Sequence, residues 1–315
     1  MPVTKPFLGR VVVWKKSGVA AGGGAYMAVD DKLVIPTMKV IARNPLNKGY
    51  PSAVNASAYP SLTVAGKKTP SITIAASVKP SFVTRAFLNS LLLSFDSTYN
   101  NSDEFLIGFY DGSAINYGLA TTGLGWRLYQ GCRCASVSLS QSAVGGPIGI
   151  TMTFLAVTGD NENSTTYTAA TAGNAATLAA VTPAPDPGAL SDVSNVDFGA
   201  SATIDGVRSW QLNLNRGQGH QFFVDGSYYP DTVESGMFSG SFTCELTPLW
   251  TVMPSDTNGA ITVRCGKVTG MPIFSLSVHR DETVQDMDIS LGNQMRAYTL
   301  ANTSSGGNPC VITAS

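Results

Sequence analysis

Phe238-Ser-Gly-Ser-Phe-Thr-Cys-Glu-Leu246 is the stretch on which the reading of this chain turns. Phe238, Gly240, Phe242, Cys244 and Leu246 step by two. Ser239, Ser241, Thr243 and Glu245 stand between them. A period of two is that of a strand with one buried face. The other face is hydroxylic, with one carboxylate and no reactive group.

Other stretches carry the same signature. Ser71–Ala75 alternates, and so does Arg208–Asn215, with Trp210, Leu212 and Leu214 inward. Arg133–Ser140 and Ile148–Val157 read as two arms of a hairpin, the second with Ile148, Ile150, Met152, Phe154 and Ala156 on one face. Val11–Trp14, Lys39–Ala42, Phe105–Tyr110, Ile261–Cys265, Ile273–Arg280, Met287–Leu291 and Arg296–Leu300 are further strand candidates. One helix is expected over Ser81–Phe95, where Phe87, Leu91 and Phe95 recur every four residues behind Ser81 as N-cap. Thr247–Met253 reads as a helical turn. The succession strand, Pro, apolar helix and then strands over Ser71–Leu93 is echoed over Phe238–Met253, which points to two related β domains.

The chain has 315 residues, 43% hydrophobic but only 13% charged, with 32 Gly. That is about half the usual share of charge. It suits short strands, turns and a surface covered by other copies. Net charge is −1, yet residues 1–85 hold 12 of the 20 Lys and Arg and only Asp30 and Asp31 of the 21 acidic residues. Such polarity fits surfaces that meet when identical subunits associate head to tail. The basic residues are scattered and form no nucleic-acid-binding module.

The first ten residues lack the apolar segment of a signal peptide, and no run approaches the length of a membrane span. A cytoplasmic site of synthesis and no membrane insertion are expected. The five cysteines are unevenly spaced and read as small buried apolar residues.

Candidate chemistry is sparse. His220 lies in a Gly-rich turn and His279 at a strand end; both read as structural or surface histidines, and no Gly-x-Ser-x-Gly elbow is present. Cys132 and Cys134 put two thiols on one side of a strand, without two further ligands for zinc. Gly66-Lys-Lys-Thr69 lacks the glycine a phosphate loop needs at position 61, which is Ser61. Asp281-Glu282 and Asp286 with Asp288 read as turn and surface residues. No catalytic, cofactor-binding or metal-binding set is expected.

The order of motifs does carry a resemblance. Tyr129-Gln-Gly131 precedes a strand that Gly149–Phe154 pairs with. Ile204–Arg216 follows as a strand with Asn near its end, then the turn Tyr229-Pro-Asp-Thr-Val233 and the strand Ser239-Gly-Ser-Phe-Thr243. Over roughly residues 125–300 this order resembles the two-domain major tail tube proteins of bacteriophages with long non-contractile tails. The resemblance implies an all-β fold with one flanking helix, as two tandem β-sandwich domains contributing to a ring-closed β-barrel. The first would cover 1–182, with an N-terminal extension and the helix near 81–95. A Pro-rich linker would occupy 183–190, and the second domain 191–315.

It implies rings of three chains with pseudo-sixfold symmetry, or of six chains, stacked around a tape-measure protein. Tail terminator and tail tip proteins would be partners, and double-stranded DNA would pass through the lumen of the assembled virion. Ser239, Ser241, Thr243 and Glu245 are then candidates for a lumen wall or a subunit seam. Lys15, Lys16, Asp30, Asp31, Asp103 and Glu104 are candidates for contacts between rings, with the loops Ser17–Asp31, Asp96–Glu104 and Asn161–Gly188. The alternatives are another β-rich virion component (decoration, capsid or fibre protein) or a carbohydrate-binding β-sandwich. An enzyme is not expected.

Overall fold

The computed structural model describes residues 10–17, 32–35, 39–43, 46–49, 64–77, 87, 90–91, 104–110, 126–142, 149–159, 194–198, 202–203, 207–224, 228–237, 239–246, 260–266, 272–290, 293–300 and 310–313. About three quarters of them are strand, in an all-β arrangement whose main sheet curls into a half-barrel. The strands of the first half are β1 (Arg10–Ser17), β2 (Lys32–Ile35), β3 (Lys39–Arg43), β4 (Leu46–Gly49), β5 (Val64–Lys68), β6 (Ser71–Ser77), β7 (Glu104–Tyr110), β8 (Trp126–Gln141) and β9 (Gly149–Leu155). Those of the second are β10 (Ser194–Phe198), β11 (Ala202–Thr203), β12 (Val207–Asn215), β13 (Gly219–Gln221), β14 (Thr232–Glu234), β15 (Ser239–Leu246), β16 (Ala260–Gly266), β17 (Pro272–Ser290), β18 (Asn293–Leu300) and β19 (Cys310–Thr313).

The pairing order repeats. Advancing each strand number by nine turns β1–β2 into β10–β11, β1–β7 into β10–β16 and β3–β6 into β12–β15. The same shift turns β4–β5 into β13–β14, β6–β9 into β15–β18, β7–β8 into β16–β17 and β8–β9 into β17–β18. All of these pairs exist, all antiparallel. The echo read between Ser71–Leu93 and Phe238–Met253 falls on β6 and β15, which correspond under this shift. Two pairings stand outside the pattern: β17–β19, and β8–β12, which joins the two series into one 15-stranded sheet.

Curvature comes from the long strands. β8 pairs with β7 through residues up to Cys132 and with β9 and β12 beyond it. Between these halves it carries two irregularities. One surrounds Gly131, whose φ of 62° favours glycine, and the other inserts Ala135 between Cys134 and Ser136. A Cβ on Gly131 would lie 2.7 Å from Val157 Cγ2, so the side of β8 facing the returning β9 chain is closed to any larger residue. The carbonyl of the inserted Ala135 is not wasted: the Arg216 amide donates to it at 3.0 Å. β17 has its irregularity at the corresponding place, where Arg280 and Gln285 pair with Leu300 and Tyr298.

The inner face buries Ile72, Ile74, Ile150, Met152, Phe154, Val137, Leu139, Trp210, Leu212, Leu214 and Phe242. Phe105 of β7 stacks edge-to-face on Phe154 (centroids 5.8 Å apart) and on Phe87 (6.0 Å). Of the helix expected over Ser81–Phe95, only Phe87, Ser90 and Leu91 are among the described residues; all three have helical backbone and are buried. The Trp210 indole N–H, buried with them, donates to Gln141 Oε1 at 3.0 Å.

One expectation is corrected. The two strands expected over Ile273–Arg280 and Met287–Leu291 are one: residues 273–280 and 287–290 belong to β17, 19 residues long, and Leu291 lies outside the described residues. The intervening Asp281-Glu-Thr-Val-Gln285 holds no Gly or Pro and only Asp281 as a turn former. The chain bulges there without reversing, with a register shift against β18 between Arg280 and Gln285. The Thr247–Met253 turn, the linker 183–190 and the stretch Asn161–Gly188 lie outside the described residues.

Candidate functional site

The outer face of the sheet is a pavement of small polar side chains. In one register row, Ala75 of β6, Thr151 of β9, Ser138 of β8, Asn213 of β12 and Ser241 of β15 stand side by side. The row on one side holds Thr73, Thr153, Ser136, Asn215 and Ser239; the row on the other holds Gly149, Ser140, Gln211 and Thr243. All are exposed or half-exposed. They follow from period-two alternation, since each lies between residues of the buried face.

Hydrogen bonds cross the strands on this face. Gln211 Nε2 donates to Ser138 Oγ (3.3 Å) and Asn213 Oδ1 (3.0 Å), and Asn213 Nδ2 to Ser241 Oγ (3.3 Å). Ser209 Oγ donates to Glu245 Oε2 at 3.1 Å, and the Thr73 and Thr153 hydroxyls share a bond at 3.1 Å. None of the residues named in these three rows is ionisable; Glu245, paired with Ser209 in the next row, is the carboxylate on this face of β15. Cations stand at the margin: Arg43 and Arg133 flank the row through Ser71 and Leu155, and Lys39 is paired with Ala75. Toward the opposite margin, Asp286 and Asp288 occupy the register rows of Thr243 and Glu245 through Ala297 and Met295.

Ser239, Ser241, Thr243 and Glu245 are thus brought together on one face, as their spacing predicts. Their neighbours on β6, β8, β9 and β12 complete that face. Alternation in those segments marks the same residues as outward, but strand periodicity does not name the partner strand. The residues read as contacts between rings are dispersed. Lys15 is buried, 1% exposed, on β1 between β2 and β7, so its ammonium is not on the surface of the chain. Glu104 is half-buried and paired with Ser17. Nothing is described of the Lys16 side chain, and Asp30, Asp31 and Asp103 lie outside the described residues.

A second feature went unread in the sequence. Residues 216–224 and 228–237 form an arm built on β13 and β14 that closes on itself. Asn215 Oδ1 accepts from the Gly217 amide at 2.7 Å, Gly217 has a φ of 60°, and Gly236 packs its backbone against the Gly217 carbonyl. The arm clasps the first half of the chain. The Lys68 amide donates to the Tyr228 carbonyl (2.7 Å) and Lys68 Nζ to the Tyr229 hydroxyl (2.9 Å), while Lys67 Nζ sits 4.3 Å from the centre of the Phe222 ring.

His220 is part of this clasp. Its Nε2 lies 3.1 Å from both the Pro70 and the Ala156 carbonyls, so that nitrogen carries the proton and donates to both. Burial lowers its pKa, and the two carbonyls offset this only in part. The partners of its Nε2 are thus both backbone carbonyls, and the ring serves to hold the arm against the first half. Burial also pushes the Cys132 and Cys134 thiols well up, with the Glu104 charge adding to the effect on Cys132, so both resist forming thiolates. His279 is paired with Ala260, and its side chain is not described.

Among the described residues, no three His, Cys, Asp or Glu are grouped to hold a metal ion, and no helix is long and apolar enough to cross a membrane. Chemically, the outer face can hydrogen-bond, exclude tight phosphate binding for want of cations, and meet another surface. Compared with known proteins, the chain matches no protein-family profile and no curated protein.

Proposed function

We propose that this protein is a structural subunit of a bacteriophage tail tube. In this reading the chain assembles with its own kind into stacked rings, and the polar outer face of the central sheet, with its cations confined to the margin, forms the wall of the channel. The observation that carries it is that face: hydroxyl and amide side chains spread over five adjacent strands from both halves of the chain, with the cations held to its edge. Each Lys or Arg facing DNA adds a counterion-release attraction, so a conduit is best lined by groups that hydrogen-bond transiently to water and phosphate. A wall of Ser, Thr, Asn and Gln lets a duplex slide.

The repeated pairing order supports the same reading. Two equivalent series of nine strands per chain would let three chains build a ring of six units, each a tube domain. Closing the sheet around the ring removes edge strands that would otherwise invite aggregation. The protein is then not an enzyme. It resides in the virion after synthesis in the bacterial cytoplasm, with a tape-measure protein inside the growing tube and terminator and tip proteins at its ends.

Negative-stain microscopy of the purified, concentrated full-length chain tests this. Hollow rings or tubes of constant width are expected. A chain that stays monomeric at every concentration and binds glycans on an array would replace the tube with a carbohydrate-binding sandwich.

A further inference from the structure

Among the described residues, the β8–β12 pair is the one strand ladder that joins the first series to the second. It uses the far half of β8, residues Ser136–Gln141, against Trp210–Asn215. Under the shift of nine, β8 corresponds to β17 and β3 to β12. The counterpart of this contact is therefore between β17 and β3. Within one chain it is not made. Among the described residues, β3 pairs with β6 alone, and the far half of β17 with β18 alone, since β16 and β19 bond to residues 272–279. Among the described residues, two edges with the same surroundings as a bonded pair thus have no partner strand, at opposite margins of the same sheet.

We propose that the open edge of β3 in one chain pairs antiparallel with residues 285–290 of β17 in the next, repeating between chains the β8–β12 junction within the chain. Such a contact is heterologous, head to tail, and propagates until it closes on itself. Its closure into a ring rests on the tube reading.

Charge at the two edges supports a second copy as the partner. The positions of β3 in register with the outer face are Lys39, Ile41 and Arg43, of which Lys39 and Arg43 are exposed. On β17 the positions in register with that face include Asp286 and Asp288. An edge with two cations thus faces an edge with two carboxylates; as Lys39 and Arg43 stand four residues apart and Asp286 and Asp288 two, one pair can be directly opposed and the other lies diagonal to it. The internal junction, which never has to find its partner, presents Ser136, Ser138 and Ser140 to Asn215, Asn213 and Gln211 and carries no charge. Complementary charge is what a junction formed by encounter needs, because it steers approach and fixes register. It also gives the uneven charge along the sequence a place to act.

The test uses the full-length chain in three charge variants: Lys39→Asp with Arg43→Asp, Asp286→Lys with Asp288→Lys, and all four changes together. Sedimentation velocity over a concentration range reads association, circular dichroism confirms the fold, and negative stain reads the product. Each paired reversal should raise the dissociation constant at least tenfold, the fourfold swap should restore association, and added salt should weaken the wild type. If either folded paired reversal associates as the wild type does, the edge pairing is overturned, whatever the assemblies look like. A wild type that never associates overturns the pairing and the tube together. Association that obeys the charge swap but gives open chains without a lumen keeps the pairing and removes the tube.

Discussion

At the scale of single residues, His220 has the sharpest consequence. Its ring donates one proton to two carbonyls of the first half, and burial keeps it neutral in that position. The sign follows from the lowered pKa. The clasped state favours the neutral ring, so its contribution is full at neutral pH and fades as pH falls below the ordinary value of about 6.5. The charged residues on the described elements packed around it are Lys67 and Lys68 on β5 and Arg216, Asp231 and Glu234 on the arm, while the chain beside β6 and β9 offers the Pro70 and Ala156 carbonyls. His220→Gln keeps an N–H donor and cannot titrate. Urea midpoints between pH 7.5 and 4.5 should fall more steeply for the wild type than for the variant. The difference should be a fraction of the ~1.4 kcal/mol per pH unit of a fully sequestered group, because the ring is partly in water. Parallel profiles would remove this role. In sequence His220 gave no such signal: Gly217-Gln-Gly-His220 reads as a turn, and the carbonyls it bonds lie 64 and 150 residues away.

At the scale of elements, the sheet face can be tested by giving it what it lacks. Asn213→Lys with Ser241→Lys places cations at the centre of the outer face, where both native side chains are half-exposed. The variant should hold double-stranded DNA in a filter-binding assay, with retention falling as salt rises, while the wild type passes it. Equal retention by both would mean that the face is not what keeps DNA mobile. Much of this face was legible. β6, β9, β12 and β15 alternate cleanly, so Thr73, Thr151, Asn213 and Thr243 are outward by counting alone. β8 is less legible because two irregularities change its parity: Cys132 and Cys134 are buried, and so are Val137 and Leu139. A bulge is set by where the chain must bend and leaves only Gly131 as its trace. Short strands such as β11 and β14, of two and three residues, are below the length at which alternation carries information.

At the scale of the whole molecule, the two strand series behave as one body across the β8–β12 junction. Leu139 faces Leu212, Val137 faces Leu214, and the Trp210–Gln141 bond seals the end of the pair, with the arm clasped over the β5–β6 corner. A protease site inserted within 183–190 should therefore cut the chain without parting it. The two halves should co-elute in native buffer and separate only in denaturant; separate elution after cleavage would show the junction too weak to matter. Which strands pair across the halves was beyond a reading by periodicity, since alternation fixes faces and is silent on neighbours. The uncharged Ser–Asn character of that junction has a further consequence. Bonds between covalently tethered strands form at an effective concentration that dilution does not alter, and without charge they are indifferent to ionic strength. In the proposed tube, changes of salt or concentration that dissolve contacts between separate chains would leave this fold intact, so each subunit would part from its neighbours as a finished brick, without refolding.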